Sequence, residues 1–169
     1  MAAMIESTLS VHLLTLLQLR GVGLAAAVGL GALVGPSQVG ARVAELLIGR
    51  NRHHPIWTML ASVSLLAAGI SLLLASHAFI ALALILYGAG NGIHTIARGA
   101  LPLVLFDPQQ YAVLMGKLAT PSLIIQAAAP SIGALLLGMG GGYLVLTALA
   151  LAATINVGLC ACLVVAVRR

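Results

Sequence analysis

Acidic side chains are almost missing from this sequence: three Asp and Glu stand among 169 residues, against eight Lys and Arg. Charged residues of both signs make up 7% of the chain and aromatic ones 4%. A soluble domain is about a quarter charged and about half apolar. So small a stock of charge cannot cover a globule in water, which argues against a soluble enzyme, a nucleic-acid-binding module, a coiled coil and a disordered tail. Glu6, Glu45 and Asp107 are the only acids, so paired-carboxylate catalysis and hard-metal sites have almost no material to build from. No HExxH, GxSxG or phosphate-binding P-loop occurs, and the reading is of a chain that is not an enzyme and needs no metal or cofactor. The two cysteines, Cys160 and Cys162, would face different directions on a helix and read as small packing residues rather than a bridge. Met1 to Ser10 has no basic n-region and includes Glu6, unlike a cleavable signal.

What the sequence has in quantity is apolar surface: 62% hydrophobic residues, 19 glycines and a mean hydropathy of +1.16. These values point to helices embedded in lipid, where glycine is more frequent than in soluble helices. A helix needs about 20 apolar residues to cross the hydrocarbon core. Open sheet edges cannot sit in lipid, and no alternating segments suggest a barrel. The fold class expected is therefore all-α: a polytopic membrane helix bundle and a single transmembrane domain over 1–169, with approximate spans 4–19, 22–48, 55–76, 78–100, 110–137 and 142–167. The first of these six is odd, because its apolar run, Ser7 to Leu19, has about 13 residues and is too short to cross alone. It reads as the surviving end of a longer helix.

Basic residues set the expected orientation. Arg50, Arg52, His53 and His54 crowd the second connection, Arg98 and Lys117 flank the fourth, and Arg168-Arg169 ends the chain. Arg20 alone falls on the opposite side. The positive-inside rule places these clusters and both termini in the cytoplasm, for a protein of the plasma membrane (the inner membrane of a bacterium).

Polar groups inside spans are costly, so their positions carry the functional clue. Tyr87, Asn91, His94, Thr95 and Arg98 are spaced by three and four and share a helix face. Gly88 and Gly92 form a small-xxx-small pair on or beside it, which permits close approach of another helix. This face is either a cavity wall that binds a polar solute or a helix seam in which Asn91 and His94 bond a partner and Arg98 snorkels to the interface. In the first segment His12, Thr15 and Gln18 interrupt a leucine-rich run, and His12 could carry protons near neutral pH or simply pack. Gln38, Arg42 and Glu45 end the second span, and Arg42 and Glu45 can pair across a turn, pinning a gate or anchoring the helix. Pro36, Pro121 and Pro130 lie inside spans and would kink them or free carbonyls, with Gln126 between the last two.

Three places together resemble the major facilitator superfamily, in its C-terminal six-helix half. Gly40, Arg42, Glu45, Gly49, Arg50 and Arg52 resemble the family's cytoplasmic gate-like loop, with Leu46 where a basic residue usually follows the acid. The glycine-rich stretch Tyr87 to Arg98 resembles the family's tenth helix. Leu105-Phe106-Asp107-Pro108 through Gly116-Lys117 resembles the start of the eleventh, with Tyr111-Ala112 in place of an Arg-Gly pair. The resemblance implies a 3+3 inverted repeat and a secondary transporter moving a small solute by alternating access. It also implies that His12, Tyr87, Asn91, His94 and Thr95 line the translocation path. Its partners would be the lipid bilayer, the solute, and either an N-terminal half or a second copy, with no nucleic acid involved. No carboxylate is expected near the membrane centre, so proton coupling would fall to His12, His94 or an acid in the other half. The competing expectation is an accessory membrane subunit, or an inactive transporter fragment, that only packs against partners.

Overall fold

The computed structural model describes residues 1–49, 54–106 and 111–167, and among them it is helical almost throughout, with no strand. The elements are α1 (Ala2–Leu19), α2 (Leu24–Gly31), α3 (Val34–Gly49), α4 (Pro55–Ala75), α5 (Ile80–Leu105) and α6 (Tyr111–Val167). Among the described residues five segments are long and apolar enough to cross a membrane, α2 and α3 forming one of them as Leu24–Ile48.

Proline and glycine explain where these helices start and break. The second expected span divides in two because Pro36, at the third position of α3, has no N–H to offer the Ala32 carbonyl. There it sits among the first four residues, whose N–H groups lack helical partners anyway. His54 caps α4 through Nδ1, which accepts from the Ile56 N–H at 3.3 Å, and Pro55 holds the first helical position. The 57 residues of α6 would make a rod of about 85 Å at about 1.5 Å per residue. A bilayer core is about 30 Å thick, and the rod is broken at Gly140 and Gly141. Gly141 has φ of 66°, a conformation that costs side-chain-bearing residues and not glycine. The limb 111–139 runs beside α1, with Gly133 against Thr8 and His12, and Gly142 lies against Leu16 and Leu19. The limb 142–167 then returns, so that Val164 packs with Ile56 at the start of α4.

Glycines also set how closely the helices pack. α5 is held between α3 and α4. A Cβ on Gly90 would stand 2.6 Å from the Leu66 backbone nitrogen, and one on Gly69 would stand 2.6 Å from that of Tyr87, so α4 and α5 meet backbone to backbone. On the other side of α5 a Cβ on Gly88 would stand 2.7 Å from the Val34 carbonyl oxygen, and Gly92 abuts Gln38. The small-xxx-small pair thus faces α3. Ile5, Leu9, Leu16 and Leu17 of α1 join Leu66, Ile70, Leu84 and Leu146 in the main buried cluster, which ties α1, α4, α5 and the returning limb together.

The α1–α6 seam is built on hydrogen bonds from side chains to backbone. Pro130 cannot donate to the Gln126 carbonyl four residues earlier, and Ser7 Oγ donates to that oxygen at 2.8 Å. Thr8 Oγ1 donates to the Ala129 carbonyl at 3.3 Å and His12 Nε2 to that of Pro130 at 2.9 Å. Ser7→Ala is expected to destabilise the bundle by about 1 kcal/mol. In a Pro130→Ala background, where the helix can satisfy Gln126 itself, most of that cost should vanish. Unfolding in mixed micelles of SDS and a mild detergent measures both arms of the cycle.

Candidate functional site

The acid nearest the N-terminus is the group that organises the site. α1 extends back to Ala2, so Glu6 lies inside the helix rather than before it. Its Oε1 accepts a hydrogen bond from Asn91 Nδ2 at 3.2 Å. Asn91 is 4% exposed and sits midway along α5, eleven residues from Ile80. At about 1.5 Å per residue that is about 16 Å from the α5 start, or half the thickness of a bilayer core. The Glu6 carboxylate thus stands beside the middle of α5. The span expected over 4–19 already contains Glu6, but helical spacing says nothing of the Asn91 partner 85 positions away.

Around this pair the helices leave a cleft of about 240 Å³, lined by Glu6, Leu9, Ser10 and Leu13 of α1, Gly31 and Val34 of the α2–α3 jog, Gln38 of α3, and Tyr87 and Asn91 of α5. Its chemistry is mixed. Its lining mixes Glu6 and the amide and phenol groups of Gln38, Asn91 and Tyr87 with leucine and valine. Such a cleft can hold a small molecule with a polar or cationic head and an apolar body, the usual character of small-molecule sites. The two buried residues named at the sequence level as path-lining, Tyr87 and Asn91, meet here.

The remaining three do not join them. His12 points away, at the Pro130 carbonyl. His94 is half-buried and lines a second cavity of about 250 Å³ with Met59, Val63, Asn156 and Cys160, between α4, α5 and the returning limb. Thr95 is exposed and donates to the carbonyl of Gly92 on its own helix at 2.8 Å. The five residues therefore divide among several surroundings, because three- and four-residue spacing spreads over an arc wide enough to touch two different neighbours.

The gate-like cluster is arranged differently from the expected Arg42–Glu45 pair. Arg42 Nε donates to the Gly92 carbonyl at 3.3 Å, which ties α3 to α5 one residue past Asn91. Glu45 Oε1 instead accepts from Thr58 Oγ1 at 2.7 Å, which ties α3 to α4. Gly40 is exposed and open space surrounds it, while Gly49 closes α3. Arg50 and Arg52 lie outside the described residues, as do Asp107 and Pro108 of the third resembling stretch and the terminal Arg168-Arg169. Cys160 is buried and Cys162 exposed, both as free thiols. Among the described residues no three His, Cys, Asp or Glu side chains gather as a metal site. Comparison with protein-family profiles, with curated proteins and with solved structures returns no match for this chain.

Proposed function

We propose that the chain is one half of a secondary transporter of the major facilitator type, lying in a plasma membrane with both termini on the cytoplasmic side. In this reading it moves a small solute past the cleft between α1 and α5. The observation that carries it is the Glu6–Asn91 hydrogen bond at mid-helix, beside an open cleft. Intramembrane ionisable groups are expensive and mark solute or ion pathways by default.

The pattern of helix packing supports a 3+3 inverted arrangement. α1 runs parallel to limb 111–139, as the Ser7–Gln126 and Thr8–Gly133 contacts require. α5 runs parallel to α3, as Gly88 beside Val34 and Gly92 beside Gln38 require. α1 and α5 themselves run in opposite directions: Arg20 at the end of α1 reaches Leu74, close to where α5 begins. These directions are compatible with a repeat in which α1 corresponds to α5, α3 to limb 111–139 and α4 to limb 142–167, and on this reading the chain makes six crossings in two inverted triplets. Transporter sites typically lie near the midplane, at the interface between such repeats.

A single half leaves its cleft open on one flank. Closure belongs to an N-terminal half or a second copy, and the exposed apolar residues of α3 and limb 111–139, Val39, Val43, Ile124 and Leu135 among them, supply surface for that partner and for lipid. The test is flux into vesicles containing the protein, with a panel of small labelled amines as probes. Asn91→Ala should lower uptake at least tenfold and His94→Ala less than twofold, since only Asn91 lines the cleft. Unchanged flux with failed assembly of the Asn91 variant would instead favour an accessory subunit.

A further inference from the structure

At the face opposite the gate-like cluster three chain reversals meet: the α1–α2 connection, the α4–α5 turn and the Gly140–Gly141 break. Leu19, Arg20, His77, Gly142, Tyr143 and Leu146 enclose a cavity of about 210 Å³ there. Arg20 is the anchor. Its Nη2 donates to the Leu74 carbonyl at 2.9 Å, near the end of α4. Its Nη1 is buried and has no hydrogen-bond partner. Partial burial also holds the guanidinium pKa below its ordinary value. The Arg20 side chain also lines the cavity, so its guanidinium brings a positive charge to it.

The other lining groups suit a tetrahedral oxyanion. The fork of a guanidinium matches phosphate geometry. Tyr143 carries a phenolic donor, and His77 can donate from a ring nitrogen. Gly142 opens the limb 142–167 and lines the cavity, and a helix start carries the positive end of its dipole. Tyr143 is 74% exposed at the end of the bundle, where aromatic side chains settle at headgroup depth. Three elements that share no sequence motif thus place donors around one space.

We propose that Arg20, His77, Tyr143 and the start of limb 142–167 bind a phosphate group at this face, separate from the Glu6 cleft. The chemistry is that of a phosphomonoester or phosphodiester anion, supplied by a phospholipid headgroup or by free phosphate. The site does not depend on the transport reading.

The purified full chain in a mild detergent is titrated with three probes: inorganic phosphate, dihexanoyl phosphatidylglycerol below its micelle concentration, and dihexanoylglycerol, which lacks the phosphate. Thermal stabilisation and calorimetry read binding. The phosphate-bearing lipid should bind and raise the melting temperature, and dihexanoylglycerol should not. Arg20→Gln should weaken that binding at least tenfold. Tyr143→Phe and His77→Gln, at exposed positions that leave the fold intact, should each weaken it about threefold, which keeps the test valid if the Arg20 variant misfolds. Binding of the lipid alone assigns the site to headgroups, and binding of inorganic phosphate as well assigns it to the free anion. Equal stabilisation by dihexanoylglycerol, no binding of either phosphate probe, or affinities unchanged in all three variants would overturn the proposal.

Discussion

Gly90→Val is expected to prevent the bundle from folding, with no folded protein recovered from the membrane under conditions that yield the parent. The first atom of any side chain at this position would stand 2.6 Å from the Leu66 nitrogen and 2.8 Å from the Ser62 carbonyl oxygen, both backbone atoms. Neither can move without shifting α4. α4 cannot shift freely, because Gly69 makes the matching contact with Tyr87 and Ala83 from its own side. Overpacking a well-filled core commonly costs about 1–3 kcal/mol; a clash with backbone on both sides of one helix pair belongs above that range. Moving α5 away would carry it into α3, where Gly88 and Gly92 leave equally little room. Gly99→Ala on the same helix, where nothing lies within 4 Å, is the matched control and should fold normally. Size-exclusion profiles and protease resistance of the detergent-extracted proteins distinguish the two outcomes.

The second large effect concerns activity. Glu6→Gln is expected to lower amine uptake at least tenfold while leaving the bundle folded. The amide keeps the size and the oxygen that accepts from Asn91 Nδ2, so the α1–α5 contact survives. What disappears is the negative charge, the only one among the described residues that line the cleft. A cation or proton crossing the apolar interior would lose its counter-charge, and each tenfold fall corresponds to about 1.4 kcal/mol. Glu6→Asp keeps the charge but draws it back by one methylene, and an intermediate rate is the expected outcome. Rates equal to the parent in both variants would mean that the carboxylate serves packing alone.

Helix positions and breaks were legible in the sequence because glycine, proline and polarity act locally. The expected spans 110–137 and 142–167 leave 138–141 as their connection, and the structure breaks there at Gly140 and Gly141. Gly88 and Gly92 announce a close neighbour, although nothing in their spacing says that it is α3. The site was less legible for a definite reason. Asn91 meets Glu6 across 85 positions of sequence, and helical spacing reports which residues share a face but not what the face meets. His12 illustrates the same gap, since its partner is the backbone carbonyl of Pro130, an acceptor that every residue possesses. Arg42 and Glu45 are spaced to pair with each other, yet each finds a partner on another helix. Local spacing allows a pair; tertiary packing selects it.

The central claim is that the cleft beside Glu6 and Asn91 faces water and solute rather than lipid. Ser10 lines that cleft and is exposed, so a thiol placed there reports on its surroundings. In a Cys160→Ala, Cys162→Ala background, Ser10→Cys should react quickly with a charged, membrane-impermeant methanethiosulfonate in intact vesicles, and the Glu6→Gln change should slow that reaction by weakening attraction of the cationic reagent. Labelling of Ser10→Cys by an apolar maleimide alone, with no reaction toward the charged reagent from either side of the membrane, would contradict the account.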